Sequence, residues 1–313
     1  MKHKIICTTP VSHLPGVIDE LKKNGTLTLK PNISKSNLKK LLLQKKHNAL
    51  FVNPNKQGYK IDSSLLDNTS INIINTCSTG LNHIDLGYCK NKKIKVLSLT
   101  NDKTLIRDLP STSELAFGLM LSLLRNIISS YQSVLKYNWN YLPYVGRQVK
   151  DLTVGVVGYG RLGKIFCQQL EGFKAKIVVV DPYVKVCKYR KLSLKKALPI
   201  VDVLVLHIHA TTKNRELINI DMIKLMKKKP IIINTSRGEI VNERDIIRAI
   251  KKKEISGYGC DVLNDEFDNI RKSKLIEASK NLPIIITPHI GGMTIEGQTK
   301  AFIFAAMKFK LNY

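Results

Sequence analysis

The 313-residue sequence has a single tryptophan, no paired cysteines and few acidic residues. Its six cysteines are scattered and none belongs to a CxxC pair, so we expect reduced, mostly buried thiols and no metal centre. The longest mainly apolar stretch, 115–124, ends at Arg125 and is too short to cross a membrane. The opening MKHKIICTTP lacks the apolar core of a signal peptide. These absences predict a cytoplasmic protein without a membrane segment.

The scarcity of acidic residues leaves a formal charge of +27, with 51 basic against 24 acidic side chains. Such a charge could attract nucleic acid or an anionic substrate. The lysines, however, often form short runs at predicted helix ends, where cations suit the helix dipole, as at 227–229 and 251–253. Aromatic residues do not alternate with these runs, as they would in a protein that binds single strands. We therefore favour a compositional bias over nucleic-acid binding.

Strands and helices are predicted to alternate along the chain, which is long enough for two domains with separate cores. This rhythm predicts an α/β protein with two Rossmann-like domains, both with parallel sheets and the second doubly wound. Ligands of such sheets bind at the carboxyl ends of the strands. The predicted strands are Ile5–Ile6, Ala49–Val52, Ile71–Ile74, Ile94–Leu99, Val154–Val157, Ile177–Val180, Val201–Ile208, Ile231–Asn234, Ile255–Val262 and Ile284–Thr287.

A long helix is predicted from Ser111 to Tyr131, between the two groups of strands. Its apolar positions occupy most of the helical circumference, so we expect it to be buried inside the chain or at a subunit interface. An irregular, aromatic segment, 138–150, follows it.

The segment Val154–Asp181 has the order strand, glycine-rich turn, helix, strand and acidic residue. Its turn reads GYGRLG, and the helical spacing that follows continues to Gly172. This is the context that a GxGxxG dinucleotide-binding motif requires. The alternative, a glycine-rich turn in another kind of α/β protein, is much less favoured because every flanking element is present.

The three glycines, the helix start and the acidic residue of this segment each have a physical role. Gly158 permits a tight turn, Gly160 lets a pyrophosphate approach the backbone, and Gly163 allows close packing of helix on strand. The helix start, with Arg161 and Leu162, offers amides and a dipole to the anion. Asp181 would accept hydrogen bonds from the adenosine ribose and repel a 2′-phosphate, which predicts NAD rather than NADP.

Polar side chains follow several predicted strands, at the edge where a ligand is expected, and six sequence segments occur in a fixed order around them. The segments are STGLNHIDL, STSELAFGLMLSLLR, VGVVGYGRLGK, NTSRGEIVNE, GCDVLNDE and TPHIGG. With these segments the chain resembles the D-isomer-specific 2-hydroxyacid dehydrogenases, which include phosphoglycerate, glyoxylate/hydroxypyruvate, D-lactate and formate dehydrogenases.

The resemblance implies a catalytic set of Arg237, Glu266 and His289. His289 would exchange a proton with the substrate 2-hydroxyl as hydride moves between C2 and the nicotinamide. Glu266 would orient the imidazole, and Arg237 would bind the substrate carboxylate. Backbone amides of Ser78, Thr79 and Gly80 would hold the same carboxylate, with Asn53 nearby.

The resemblance also implies the remaining cofactor contacts and the organisation of the chain. Thr235 and Asp261 match positions on the nicotinamide side, and Thr211 matches one near the pyrophosphate; His207 and Gly291 are assigned to the cofactor with them. Residues 1–104 with 293–313 would form the substrate-binding domain and 105–292 the NAD-binding domain, with the active site in the cleft between them. A homodimer is expected, and no C-terminal regulatory domain.

Several departures from the family pattern leave the substrate open. His209 stands where a proline is common, Ser78 replaces a common glycine, and Asn82 a common aspartate. His207 and His209 alternate without a third ligand, which is a poor zinc site. The loop 53–55 is polar and neutral, so it does not indicate a phosphorylated substrate. An NAD(H)-sensing interaction protein related to corepressors of this fold is the alternative to an enzyme.

Overall fold

The strands pair into two parallel sheets, one in each of two units of the chain. This computed structural model describes residues 2–53, 58–102, 109–264, 266 and 270–310. The smaller unit comprises Met1–Leu109 with Gly292–Tyr313, and the larger unit comprises Pro110–Gly291. The predicted α/β class with parallel sheets is confirmed. The predicted boundary between residues 104 and 105 lies outside the described residues.

The smaller unit has a five-stranded sheet in the order β2-β1-β3-β4-β5. Apolar side chains of the central strands are buried on both faces, as expected for a parallel sheet. Its strands are β1 (His3–Cys7), β2 (Gly25–Leu29), β3 (Ala49–Val52), β4 (Ile73–Thr76) and β5 (Lys95–Leu97), and its first helices are α1 (Val17–Lys23), α2 (Lys35–Leu43), α3 (Ser63–Leu66) and α4 (Leu86–Asn91).

The larger unit has a seven-stranded sheet in the order β12-β11-β10-β9-β6-β7-β8. The strands are β6 (Thr153–Val157), β7 (Lys176–Val180), β8 (Arg190–Lys191), β9 (Val203–Leu206), β10 (Ile231–Asn234), β11 (Gly257–Cys260) and β12 (Ile284–Ile286). The helices are α5 (Ser111–Leu124), α6 (Ile127–Val134), α7 (Arg161–Gly172), α8 (Leu194–Ala197), α9 (Ile220–Ile223), α10 (Glu243–Lys251) and α11 (Lys274–Ser279). From β6, the strands follow in chain order towards one edge of the sheet (β7, β8) and towards the other edge (β9 to β12). The point where the direction reverses, between β6 and β9, is where such sheets bind ligands, and it lies beside the glycine-rich turn.

The last helix, α12 (Ile295–Met307), packs against α1 and β4 of the smaller unit. Two buried amides hold its carboxyl end: Asn75 Nδ2 donates to Ala305 O at 2.7 Å, and Asn24 Nδ2 donates to Ala306 O at 3.2 Å. Each side chain adds a second donor to a carbonyl of the last turn, because Lys308 N also donates to Ala305 O and Phe309 N to Ala306 O.

The predicted single helix over 111–131 is wrong, because the structure has two helices there. Asn126 has φ 54°, a left-handed conformation that asparagine tolerates and that ends α5 before α6 begins. The buried side of α5 includes Ala116 and Met120, whereas Tyr131 of α6 is 61% exposed. Burial inside the chain is therefore found for the first part only.

Strand β2 was not predicted, because its sequence, GTLTL, has no apolar run. It lies at the edge of its sheet and its residues are only partly covered, so threonines are accommodated there. Among the described residues, no helix is both long and apolar enough to span a membrane.

Candidate active site

The glycine-rich turn follows β6 and can be formed only by glycine at two positions. Gly158 has φ 94°, and a Cβ built on it would lie 2.3 Å from His207 O. A Cβ on Gly163 would lie 2.0 Å from Gly158 O. Both distances are far below a van der Waals contact, so a side chain at either position would separate the turn from β9 or α7.

The amino end of α7 is open to a ligand. Its N-cap residue is Gly160, which provides no side-chain hydrogen bond, and a Cβ there would meet no atom within 4 Å. The backbone amides of the first turn, at Arg161 and Leu162, therefore have room for an anion. Burial lowers the pKa of the Arg161 guanidinium from its ordinary value.

Asp181 follows β7 and accepts hydrogen bonds from three backbone amides. Its carboxylate takes Tyr159 N at 2.8 Å, Tyr183 N at 2.9 Å and Val184 N at 3.3 Å. The Tyr159 bond joins Asp181 to the glycine-rich turn, so the acidic residue shapes that turn in addition to the ribose contact predicted for it.

The turn after β10 is held by its own side chains and carries Arg237. The fully buried Asn234 donates through Nδ2 to Arg237 O at 2.9 Å and accepts from Ser236 N at 3.0 Å. Ser236 Oγ donates to Leu206 O at 2.7 Å, which ties the turn to β9. Arg237 itself donates through Nη1 to Ser236 O at 2.7 Å. The backbone carrying the guanidinium is thereby fixed.

His289 and Glu266, which are 23 residues apart, form a hydrogen-bonded pair. His289 Nδ1 lies 3.0 Å from both carboxylate oxygens of Glu266. Both side chains are partly buried, with 27% and 17% exposed, so solvent screens the pair only in part. His289 has φ 54°, a left-handed conformation that is uncommon for residues other than glycine and that the surrounding loop must stabilise.

Asp261 stabilises the loop on both sides of His289. Its carboxylate is 1% exposed and accepts from Thr287 Oγ1 at 2.5 Å, Ile290 N at 2.8 Å and Gly291 N at 2.7 Å. Burial raises the pKa of Asp261 above its ordinary value, although these donors oppose that shift. The predicted contact of Asp261 with nicotinamide stays a prediction.

In the smaller unit, the predicted carboxylate-binding loop follows β4. Ser78 Oγ donates to Gly80 O at 2.6 Å, which closes the loop on itself. Thr76 Oγ1 lies 3.2 Å from Ser78 Oγ and 3.0 Å from Nε2 of the buried His83. Thr79 O accepts from Thr100 Oγ1 at 2.9 Å.

Asn53, the other predicted substrate contact, follows β3 and is buried. Pro54 and Asn55 of the same predicted loop lie outside the described residues.

Most of the larger unit is similar to a known protein family. Residues 117–291, most of the larger unit, match "D-isomer specific 2-hydroxyacid dehydrogenase, NAD binding domain". The chain belongs to the D-isomer specific 2-hydroxyacid dehydrogenases. This confirms the resemblance, the enzyme class and NAD as cofactor.

Individual relatives agree with this family. The chain is 31% identical to the glyoxylate reductase of Thermococcus litoralis over 76% of this chain and 73% of that protein. It is 29% identical to the hydroxypyruvate reductase of Thermotoga maritima, over 79% and 80%. The crystal structure of D-lactate dehydrogenase from Aquifex aeolicus, complexed with NAD and lactic acid, has a TM-score of 0.79 at 27% identity and covers 98% of this chain and 94% of that chain.

The residues present in the dehydrogenase fit its cofactor. Both ring nitrogens of His207, after β9, are buried and bond to none of the described residues, and the same is true of Thr235 Oγ1, after β10. A dinucleotide would offer such polar atoms partners. Burial, and next the nearby Arg161 charge, lower the pKa of His207 to about 3, so this imidazole is neutral at physiological pH. Its ring centroid lies 5.2 Å from that of Phe166 on α7.

Two other residues predicted to contact the cofactor, Thr211 and Gly291, have structural roles within their own loops. Thr211 and Asn214 form a capping box at the start of the short helix Thr212–Asn214. A Cβ on Gly291 would lie 3.0 Å from Asp261 Oδ2, so glycine permits the close approach of that carboxylate. His209 is exposed, and its carbonyl accepts a bond from Asn214 Nδ2 at 2.5 Å. Over the described part of the chain, no three metal-ligating side chains cluster.

Several residues that hold the candidate site in place were not predicted from the sequence. Asn234, Ser236, Thr76 and His83 each make side-chain contacts that fix a loop bearing a candidate functional group. Asn234 and Ser236 lie inside the NTSRGEIVNE segment, and His83 inside STGLNHIDL, so their presence in the motifs was the only signal available.

Proposed function

We propose that this dehydrogenase reduces a small 2-oxo acid to the D-2-hydroxy acid, and catalyses the reverse oxidation, with NAD(H). The observation that carries the proposal is the His289–Glu266 pair, with Nδ1 at 3.0 Å from both oxygens. A histidine held through one nitrogen by a carboxylate can exchange a proton through the other.

The chemistry of the three side chains follows from their contacts. NADH supplies the hydride when bound. His289 Nε2 donates the proton to the 2-oxo oxygen, and Glu266 keeps the ring in the orientation that makes this possible. Arg237, on its fixed turn, binds the substrate carboxylate through two parallel bonds and withdraws charge from the carbonyl.

The smaller unit contributes the substrate loop in this proposal, and the larger unit contributes the cofactor site. Amides of Ser78, Thr79 and Gly80 hold the carboxylate, with Asn53 lining the same site. In the larger unit, the glycine-rich turn and the start of α7 would hold the pyrophosphate of the cofactor, together with Thr211 and His207. Thr235, Asp261 and Gly291 would hold the nicotinamide, and the Asp181 carboxylate would favour NAD over NADP.

We further propose glyoxylate or hydroxypyruvate as the type of substrate. The similarity to a glyoxylate reductase and to a hydroxypyruvate reductase supports this choice. Asn53 is neutral and the segment 53–55 contains no basic residue to hold a phosphate, so phosphohydroxypyruvate is the weaker candidate.

A cytoplasmic homodimer is the proposed assembly. Helix α6 and the segment after it expose several large apolar side chains, including Tyr131, Leu135 and Trp139, the last being 88% exposed. Apolar surface of this kind is typical of a protein–protein interface. A monomer in light scattering at micromolar concentration would contradict the proposed assembly.

The decisive experiment is NADH oxidation, followed by absorbance, with a panel of 2-oxo acids. The panel contains glyoxylate, hydroxypyruvate, pyruvate, 2-oxoglutarate and phosphohydroxypyruvate, each with NADH and with NADPH. We expect one small unphosphorylated acid to give the highest kcat/KM, with NADH preferred. NADH binding without turnover of any acid would contradict the proposed reaction and favour the NAD(H)-sensing role.

A further inference from the structure

One carboxylate outside the proposed catalytic set connects the loop of Glu266 to the rest of the larger unit. Glu243 is the first residue of α10, and its Oε1 accepts a hydrogen bond from Asn264 N at 2.8 Å. Asn264 lies only two residues before Glu266 in the chain. The bond is charge-assisted and both residues are half-buried, so it is stronger than an exposed neutral hydrogen bond.

The same loop rests directly on the turn that carries Arg237. A Cβ on Gly238 would lie 2.1 Å from Leu263 C and 2.3 Å from Asn264 N. The backbones of the two segments are thus in contact, and any side chain at Gly238 would push them apart. Glu243 joins these segments because it follows the Arg237 turn by a few residues and bonds the Glu266 loop.

The surroundings of Glu243 keep its charge effective. Burial, followed by the charge of Glu243, raises the pKa of the Cys260 thiol, and the same carboxylate contributes to the raised pKa of Tyr258. Both side chains are fully buried at β11. The region around the Glu243 carboxylate is therefore poorly solvated. In such a region its hydrogen bond to Asn264 N is stronger than the same bond would be at the surface.

We infer that Glu243 is a positioning residue for the His289–Glu266 pair. Its bond to Asn264 N sets where the loop places Glu266, and Glu266 in turn sets the orientation of the His289 ring. The inference rests on the proposed function for its kinetic consequences only, because the orientation of His289 can be followed without substrate.

Asp245 provides a matched control on the same helix. Its Oδ2 accepts from Ile220 N at 2.9 Å, so it too is a carboxylate in the first turn of α10 that holds a backbone amide. Ile220 begins α9, which carries none of the proposed functional residues. Replacing Asp245 by alanine therefore removes a comparable hydrogen bond to a backbone amide but leaves the Glu266 loop unchanged.

The experiment compares Glu243→Ala, Glu243→Gln and Asp245→Ala, with Glu266→Gln as reference. Since a misplacement of about 1 Å can cost about 100-fold in rate, we expect Glu243→Ala to lower kcat about 10-fold. Glu243→Gln keeps an acceptor oxygen and recovers most of this loss. Asp245→Ala leaves the pH profile of kcat unchanged, even where it lowers thermal stability as much.

Two readouts separate positioning from general destabilisation. The ring-proton NMR signals of His289, observed in the enzyme without substrate and assigned with His289→Gln, move in Glu243→Ala in the same direction as in Glu266→Gln. In the Glu266→Gln background, Glu243→Ala has no further effect on kcat, because the group it positions is already altered.

Wild-type positions of the His289 ring signals in Glu243→Ala would overturn the inference. So would a double variant whose loss of kcat equals the product of the two single losses. If no 2-oxo acid is turned over by the wild type, the proposed reaction fails while the NMR comparison still decides the role of Glu243.

Discussion

The two units differ in what they offer to a substrate. The larger unit presents charged side chains on strand-end loops, namely Arg237 and the His289–Glu266 pair. The smaller unit presents a loop, Ser78–Gly80, whose proposed contribution is its backbone amides, with side chains holding the loop closed. We therefore expect the larger unit to lose function when a functional group is removed, and the smaller unit to lose it when its loop changes shape.

The largest effect is expected for His289→Ala. The variant lacks the proton donor, and general acid–base catalysis contributes about 100- to 10,000-fold, so we expect kcat to fall by about 1,000-fold or more. NADH affinity, measured by fluorescence titration, should change less than about twofold, since the proton donor adds little ground-state binding. His13→Ala, at an exposed histidine of the smaller unit, is the control. Equal turnover by the His289 variant would refute the assignment.

Arg237→Lys should have the next largest effect. Lysine keeps the charge but loses the planar fork that binds a carboxylate through two bonds. Charged hydrogen bonds of this kind contribute about 1.5–3 kcal/mol, so kcat/KM for the 2-oxo acid should fall about 100-fold. Steady-state kinetics would show this loss mainly in KM. Exposed Arg244, replaced by lysine, should show no loss; a kcat/KM of Arg237→Lys near wild type would mean that Arg237 does not grip the carboxylate.

His207 should make the free energy of unfolding depend on pH, and His207→Gln should remove that dependence. The folded pKa is about 3 against an ordinary 6.5. Between these values the unfolded chain binds a proton that the folded chain excludes, so stability falls as pH drops below about 6.5 and is constant above it. The slope is at most about 1.4 kcal/mol per pH unit, and less to the extent that solvent reaches the partly exposed residue.

Urea denaturation at several pH values, followed by circular dichroism, measures this slope. His3 and His47 also have pKa values lowered, first of all by burial, but they are present in both proteins and cancel in the difference. An unchanged slope in His207→Gln would show that the His207 imidazole titrates normally in the fold.

The smallest effect is expected in the smaller unit, for Ser78→Ala. The change removes the hydroxyl that donates to Gly80 O at 2.6 Å. A hydrogen bond of this type contributes about 0.5–1.5 kcal/mol, so KM should rise about 2- to 10-fold while kcat is nearly unchanged. Ser36→Ala, at an exposed serine of α2, is the control. If Ser78→Ala lowered kcat/KM as much as Arg237→Lys does, the proposed difference between the two units would be contradicted.

The sequence predicted those parts of the fold and site that depend on local patterns. The glycine-rich turn between β6 and α7 is one example, because its glycines are required by contacts within a short segment. The break at Asn126 was not predictable from hydrophobic periodicity, since the apolar pattern continues through it while the backbone turns left-handed.

Residues that act over long chain separations could not be assigned roles from the sequence. Glu243 reads as an ordinary acidic residue in the first turn of a helix, which the dipole favours. Its bond to Asn264 N, 21 residues away, appears only in the structure. The contact of Thr76 with the buried His83 Nε2 likewise requires the loop to fold back on β4.

In the proposed reaction, hydride passes between the nicotinamide and C2 of a small acid. The most direct test incubates the enzyme with hydroxypyruvate or glyoxylate and NADH stereospecifically deuterated at C4, using each of the two epimers. We expect one epimer to deliver deuterium to C2 of the 2-hydroxy acid, as read by NMR or mass spectrometry of the product, with the D configuration where C2 is chiral. Product without deuterium from either epimer, or of the L configuration, would contradict it.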